Sequence, residues 1–394
     1  MRLALTDEEL AFRDEVRAWL ATTLPRLDPV PDADDWPARR AYDMRWQRLL
    51  FDDGYAGISW PAAYGGRGAS GGQELLFLEE LHHAGAPYVG CNFVGTLHAG
   101  PTLIAEGTPE QQAHHLPGIL RGDHVWCQGF SEPEAGSDLA SLRTRAVRDG
   151  DDYVVTGQKI WTSHAQVADY CELLVRTDPD APKHKGITWL IMPMDLPGIE
   201  LRPLRTIGGV SEFNEMFLDG VRVPAQNRVG AENDGWRVTM VTLSFERGTA
   251  WVNDLLLAQG FVSQLAAVAR EVKRGSGTMW DDAGVRHELA RVAAELDALW
   301  ALTKRTVSHA ARTGNPGIGG SVFKLRFHDT SLRLGQLSMR VLGRAGLAFD
   351  DTLRLRTSEL VEERLFAHAI GIAAGTSQIQ RNIVAERVLG LPKG

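Results

Sequence analysis

Four short stretches hold side chains whose types and spacing could do chemistry. "FSEPEAGSD" (130–138) combines small residues, hydroxyls and exposed backbone amides, which suit close approach to an anionic or aromatic ligand. By itself it is equally a turn that enters a strand region. "GQKIWTSHA" (157–165) sets Trp161 beside hydroxyls, where the indole could lie against a planar cofactor or simply fill a core. "TLSFERGTAW" (242–251) contains Glu246, whose helical neighbours three and four residues away, Thr242, Leu243, Thr249 and Ala250, are all uncharged. A lone glutamate on that face either points to solvent or lines a pocket. "IAAGTSQIQR" (372–381) places Ala374 directly before Gly375-Thr376.

Other motifs carry less. Gly66-Arg67-Gly68-Ala69-Ser70-Gly71 has the spacing of a dinucleotide loop. Pro61 argues against a strand before it, and no acidic residue lies between Glu80 and Glu106, so it reads as a loop before a helix from Gln73 to His83. His82-His83 and His114-His115 are adjacent on helices and point to different faces, which favours surface or packing roles over a metal site.

The elements that must position these stretches fall into three regions. Residues 1–125 read as helical, with a capping box at Thr6 to Glu9 and an apolar stripe of Phe12, Val16, Trp19 and Leu20. Thr108-Pro109-Glu110-Gln111 is a second helix start. Residues 126–229 change to strands: "YVVTGQ", "DYCELLVR" and "GITWLIMP" are β-branched and aromatic runs, with a hairpin turn expected at Asp149-Gly150. Residues 230–394 return to long helices, broken at 273–277, 313–320 and 343–346, as in an antiparallel bundle. The expected fold is therefore mostly α with a small β domain. An N-terminal helical domain (1–125) precedes a central β-barrel-like domain (126–229) and a C-terminal four-helix bundle (230–394).

Composition narrows the function classes. The 394 residues are 44% hydrophobic and 23% charged, ordinary for a soluble globular chain, and the formal net charge of -8 argues against nucleic-acid binding. Lys183-His184-Lys185 is a local basic cluster that reads as a solvated loop. Three scattered cysteines, with no CxxC, fit a reducing, cytoplasmic setting. No run of 18 uncharged apolar residues suggests a membrane span.

Taken together and in order, "GTPEQQ", "SEPEAGSD", "KIWTSH", "LSFERG" and "GTSQIQRNIVAERVLG" resemble the acyl-CoA dehydrogenase family, flavoproteins with this three-part layout. The resemblance implies α,β-dehydrogenation of an acyl-CoA: a base takes the α-proton while hydride passes from the β-carbon to flavin N5. It implies FAD contacts along Gln128, Phe130, Ser131, Gly136 and Ser137, and from Trp161, Thr162 and Ser163. Further contacts are implied at Thr376, Ser377 and Gln378. Ser137, Ser244, Arg247, Ala374 and Gly375 match positions near acyl-CoA. Many members place the base where Ala374 stands. Others, of the isovaleryl and long-chain type, carry it on the first bundle helix, which corresponds to Glu246. The backbone N–H at 374 would still serve as an oxyanion donor.

Two departures bear on assembly. Homo-oligomeric members carry Arg-x-x-Phe-Gly after the first bundle helix, where this chain reads "VKRGSGTMW", and Gln-x-x-Gly-Gly-x-Gly, where it has Arg340-Val-Leu-Gly343-Arg344-Ala-Gly346. Both segments reach a neighbouring subunit's FAD in the family. Arg340, as a fork of donors, and Gly343 remain candidates for that contact. The pattern suggests a tetramer that includes a related but different subunit, as in some bacterial dehydrogenases for bulky acyl-CoAs such as steroid side-chain thioesters. The family also implies an electron-transfer flavoprotein as electron acceptor. Two other functions fit the same layout: a flavin monooxygenase or nitroalkane-oxidase-like enzyme, and a non-catalytic partner subunit.

Overall fold

Helix starts in the N-terminal region are fixed by side chains that satisfy otherwise unpaired N–H groups. In the computed structural model, which describes residues 5–245, 251–313, 317, 319–348 and 357–392, α1 (Asp7–Thr23) opens on the Thr6/Glu9 capping box. The same device at Ser70/Gln73 starts α3 (Gly71–His83), and at Thr108/Gln111 it starts α5 (Pro109–Arg121). Asp35 caps α2 (Trp36–Asp52). A single π-helical turn, Gly95–Ala99, leads into α4 (Gly100–Glu106). Isolated π turns are frequent at functional sites.

The chain then forms one sheet from β1 (Trp126–Gly129), β2 (Arg145–Asp149), β3 (Asp152–Ser163), β4 (Tyr170–Arg176), β5 (Ile187–Pro193), β6 (Ile199–Leu204), β7 (Phe213–Pro224) and β8 (Arg228–Val229). Its order is β6-β7-β3-β2-β4-β5-β8, with β1 added parallel to β4. The hairpin at Asp149-Gly150 joins β2 to β3, with Gly150 at φ 62°. The expectation of a barrel is corrected here: among the described residues β6 and β8 are not paired, so the sheet stays open. Closure needs two long, staggered edge strands, and β8 is only two residues long. On one face Cys171, Leu173, Val175, Leu190, Met192 and Val223 form the core. All three cysteines are buried, and burial raises the thiol pKa of Cys91 and Cys127.

Helix α6 (Gly235–Phe245) lies against β5 and α4. Thr102 of α4 donates to Thr242 of α6 at 2.9 Å. Gly235 permits the contact with β5, since a Cβ there would sit 2.6 Å from the backbone of Thr188 and Trp189. All these elements belong to one compact unit, Met1–Glu246.

Among the described residues, the regular elements of the second unit, Arg247–Gly394, are helical apart from a two-residue-per-strand hairpin at 273–278. It contains α7 (Val252–Glu271), α8 (Ala283–Thr313), α9 (Gly319–Leu342), α10 (Thr357–Ile370) and the shorter α11 (Ser377–Arg387). Leu255, Leu265, Val292, Leu296, Phe327, Leu334 and Leu360 are among its buried core. Helix α7 has the length and apolarity of a membrane span, but its buried face (Leu255, Ala258, Leu265, Val268) forms part of this core. The break expected at 343–346 is a 3-10 turn, Gly343–Leu347; half of the one at 313–320, residues 314–316 and 318, lies outside the described residues.

Candidate active site

The loop that carries Phe130, Ser131, Gly136 and Ser137 is fastened from behind. Glu132 and Ala135 exchange backbone hydrogen bonds, closing a tight turn. The Glu132 carboxylate accepts from the N–H groups of Arg143 (2.6 Å) and Thr144 (2.8 Å), and from Lys159 Nζ (2.9 Å). Lys159 is fully buried and also donates to the Phe130 carbonyl at 3.1 Å. Burial lowers the lysine's pKa and works to raise that of Glu132, but the ammonium and the amide donors leave the carboxylate below its ordinary value. Ile160 N–H donates to the Ser131 carbonyl at 3.0 Å. The two sequence-predicted segments are thus brought together. Phe130 is buried under the loop, Ser131 is half-buried, and Gly136 and Ser137 are exposed, with open space where a Cβ on Gly136 would stand.

At Trp161 the pairing of β3 with β7 shifts register. The bulge puts Trp161 at φ 61° and turns its indole outward, 57% exposed, with Phe213 edge-on at 5.8 Å. The neighbouring Thr162 is fully buried, and among the described residues its Oγ1 has no hydrogen-bond partner, nor has His164 Nδ1. Burial drives the His164 pKa down to about 4, so the ring is neutral near pH 7. Ser163 is half-buried and pairs with Phe213 in the sheet. A large exposed aromatic beside orphaned buried polar atoms is what a planar ligand with polar edges would satisfy.

Gln128 sits over a polar group that sequence reasoning missed. Its Nε2 donates to Glu172 Oε1 at 2.8 Å and lies 3.3 Å from His98 Nδ1. Glu172 is fully buried on β4, directly across from Gln128 in the β1–β4 ladder, and its Oε1 is 3.6 Å from His98 Nδ1. His98 comes from the π turn. The signal for Glu172 was a charge in the middle of an otherwise apolar strand.

In the second unit the turn between α10 and α11 carries Ala374, Gly375 and Thr376. Ala374 (φ 49°) and Gly375 (φ 83°) are both left-handed. The N–H groups of residues 374, 375 and 376 find no hydrogen-bond partner among the described residues. Successive free N–H groups in such a conformation form a nest for anionic oxygen. Thr376 caps α11 and its Oγ1 accepts from Ile379 N–H at 3.2 Å, so the nest also lies at a helix N-terminus. Ser377 Oγ faces His328 Nδ1 on α9 at 3.1 Å, while Gln378 is exposed. Lys324, also on α9 and 4% exposed, donates to the carbonyls of Ala373 and, at 2.8 Å, of Gly375.

The remaining predicted residues are placed as follows. Ser244 is exposed and donates back to the Val241 carbonyl at 2.7 Å. Arg340 donates to Asp282 at 3.0 Å, a carboxylate it shares with Arg274. Gly343 takes φ 56° with nothing near its Cβ position. Glu246 and Arg247 lie outside the described residues.

Comparison with known proteins agrees over almost the full length. Residues 6–123, 127–221 and 233–389 match the acyl-CoA dehydrogenase N-terminal, middle and C-terminal domains in order. Acyl-CoA dehydrogenase IpdE1 of Mycobacterium tuberculosis is 40% identical over 386 residues, covering 97% of each chain. Among solved structures, the ChsE4–ChsE5 complex from Mycobacterium tuberculosis superposes with a TM-score of 0.84 at 34% identity, covering 100% of both chains. The Tcur3481–Tcur3483 steroid ACAD gives a TM-score of 0.83 at 32% identity, again covering 100% of both.

Proposed function

The chain belongs to the acyl-CoA dehydrogenase family, and on that premise we propose that it oxidises the Cα–Cβ bond of a bulky acyl-CoA thioester with FAD as cofactor. The first unit has features that fit a flavin: the exposed Trp161, the orphaned Thr162 Oγ1 and the open ground at Gly136 and Ser137. Gln128, Phe130, Ser131, Trp161, Thr162 and Ser163 would hold its ring, and Thr376, Ser377 and Gln378 are proposed as further FAD contacts. When bound, FAD supplies the acceptor for hydride from the β-carbon.

Glu246 removes the α-proton. Ala374 has no side chain that could, and the positions three and four residues from Glu246 along a helix, Thr242, Leu243, Thr249 and Ala250, are uncharged. A base of this kind contributes roughly 10²–10⁴-fold to the rate. As the α-proton leaves, negative charge grows on the thioester oxygen. The observation that carries the reading is the row of unpaired N–H groups at Ala374, Gly375 and Thr376, which is suited to receive that charge. Ser137, Ser244 and Arg247 are proposed to contact the CoA portion.

The relatives support a heteromeric assembly, which we take to be a tetramer, and a polycyclic or similarly bulky acyl group, since the similar solved structures are described as the ChsE4–ChsE5 complex and a steroid ACAD. Electrons would leave to an electron-transfer flavoprotein. The decisive experiment is anaerobic titration with a panel of acyl-CoAs from short to polycyclic. The parent protein should lose flavin absorbance near stoichiometry with its substrate. Glu246→Gln should keep its FAD and lose the bleaching; a Glu246→Gln protein that bleaches at the parent rate ends the assignment.

A further inference from the structure

A lysine in the interior of a helical bundle needs strong compensation for its lost hydration. Lys324 finds it in the turn between α10 and α11. Its Nζ donates to the carbonyl oxygens of Ala373 and Gly375 and lies 5.2 Å from the centre of the Trp251 ring. The two carbonyls straddle Ala374, the position where many relatives carry their base.

Peptide geometry makes the placement consequential. The Ala373 carbonyl and the Ala374 N–H belong to one planar peptide, and there is no cis peptide bond among the described residues, so the two groups point in opposite directions. The Gly375 carbonyl and the Thr376 N–H are related in the same way. An ammonium gripping both oxygens therefore aims both N–H groups away from itself. It also draws electron density through each peptide, making the N–H groups stronger donors. Ala374 is held at φ 49°, a conformation unfavourable for a residue with a Cβ, which an outside restraint must maintain. One helical turn along α9, His328 secures Ser377 on the same turn.

We infer that Lys324 is a positioning residue for catalysis: it sets and polarises the backbone donors at Ala374 and Thr376 that receive the thioester oxygen. This rests on the dehydrogenation proposed above. It assigns to a side chain on α9, which need not touch substrate, a share of the stabilisation given to the developing enolate.

The test uses the flavin-loaded protein, with its partner subunit where one is required, and a 3-thiaacyl-CoA as probe. The sulfur acidifies the α-proton without allowing turnover, and the bound enolate gives a long-wavelength absorbance against oxidised flavin. In the parent the band should rise with pH and define an ionisation midpoint. In Lys324→Met the midpoint should move up by about one pH unit or more, a tenfold or larger loss. Flavin reduction by a true substrate should fall roughly 10²-fold, with KM changed only a few-fold. Lys324→Arg, which keeps a cationic donor, should recover most of the midpoint. A lysine with only a structural role would lower the melting temperature and leave the midpoint alone. A folded, FAD-loaded Lys324→Met with the parental midpoint and rate overturns the inference; if that variant does not fold, Lys324→Gln, a neutral donor, is held to the same outcome. A parent that never ionises the probe overturns the functional reading, and this inference with it.

Discussion

Lys159 and Glu132 show how much a candidate site depends on residues that never face the ligand. The pair fixes the Phe130–Ser137 loop to β3 just before Trp161, and both groups are enclosed. Lys159→Met leaves the Glu132 carboxylate buried beside two amides without its cation. It should cost about 3–5 kcal/mol in urea unfolding, and the protein should retain less FAD after gel filtration. The residues proposed to face the ligand could be named from sequence because they come as contiguous motifs, Ser131 in "SEPEAGSD" and Trp161 in "KIWTSH". The supporting residues could not, because their partners are far off in the chain. Lys324 meets the carbonyl of a residue 49 positions away, and His98 meets Glu172 with α4, α5, β1, β2 and β3 between them in the chain. A charge inside an apolar strand or helix face marks such a residue in sequence, but only the fold supplies its partner.

At the scale of elements, capping boxes and the change from helical to strand periodicity gave starts that the structure reproduces at Thr6 and Thr108. Whether the sheet closes depends on the length and stagger of its last strand, which periodicity does not encode. Two element contacts can be tested. Gly235→Ala pushes a methyl into the backbone of β5 and should cost about 1–3 kcal/mol, measured by thermal unfolding, with slower turnover as α6 is displaced. Helices α7 and α10 face each other through two half-buried carboxyl groups, Asp254 and Glu363. Desolvation raises Asp254 from 3.8 to about 6; desolvation and the neighbouring Asp254 raise Glu363 from 4.5 to about 8. Below pH 4 the folded and unfolded chains both keep these protons, and nothing is lost. Between about pH 4 and pH 8 the unfolded chain releases them first, so stability should fall as pH rises, by at most about 1.4 kcal/mol per pH unit per proton. Glu363→Gln should flatten this slope in urea titrations at pH 5, 6.5 and 8; an unchanged slope would remove Glu363 as its source.

For the molecule as a whole, the family resemblance implies that the segments "VKRGSGTMW" and Arg340 to Gly346 depart from motifs that reach a neighbour's FAD, and Arg340 is engaged with Asp282. The chain expressed alone should therefore purify with well under one FAD per protomer, and co-expression with a related subunit should restore it; full occupancy in the isolated chain, by absorbance against protein concentration, would argue for self-assembly. The placement of the sulfur atoms has a practical consequence. Cys91, Cys127 and Cys171 are all enclosed in the first unit, and the second contains none. Maleimide dyes should leave the native chain unlabelled, so one engineered surface cysteine would carry a dye at a single chosen place. The brightness of that dye would then report, molecule by molecule, how its surroundings respond when a thioester binds.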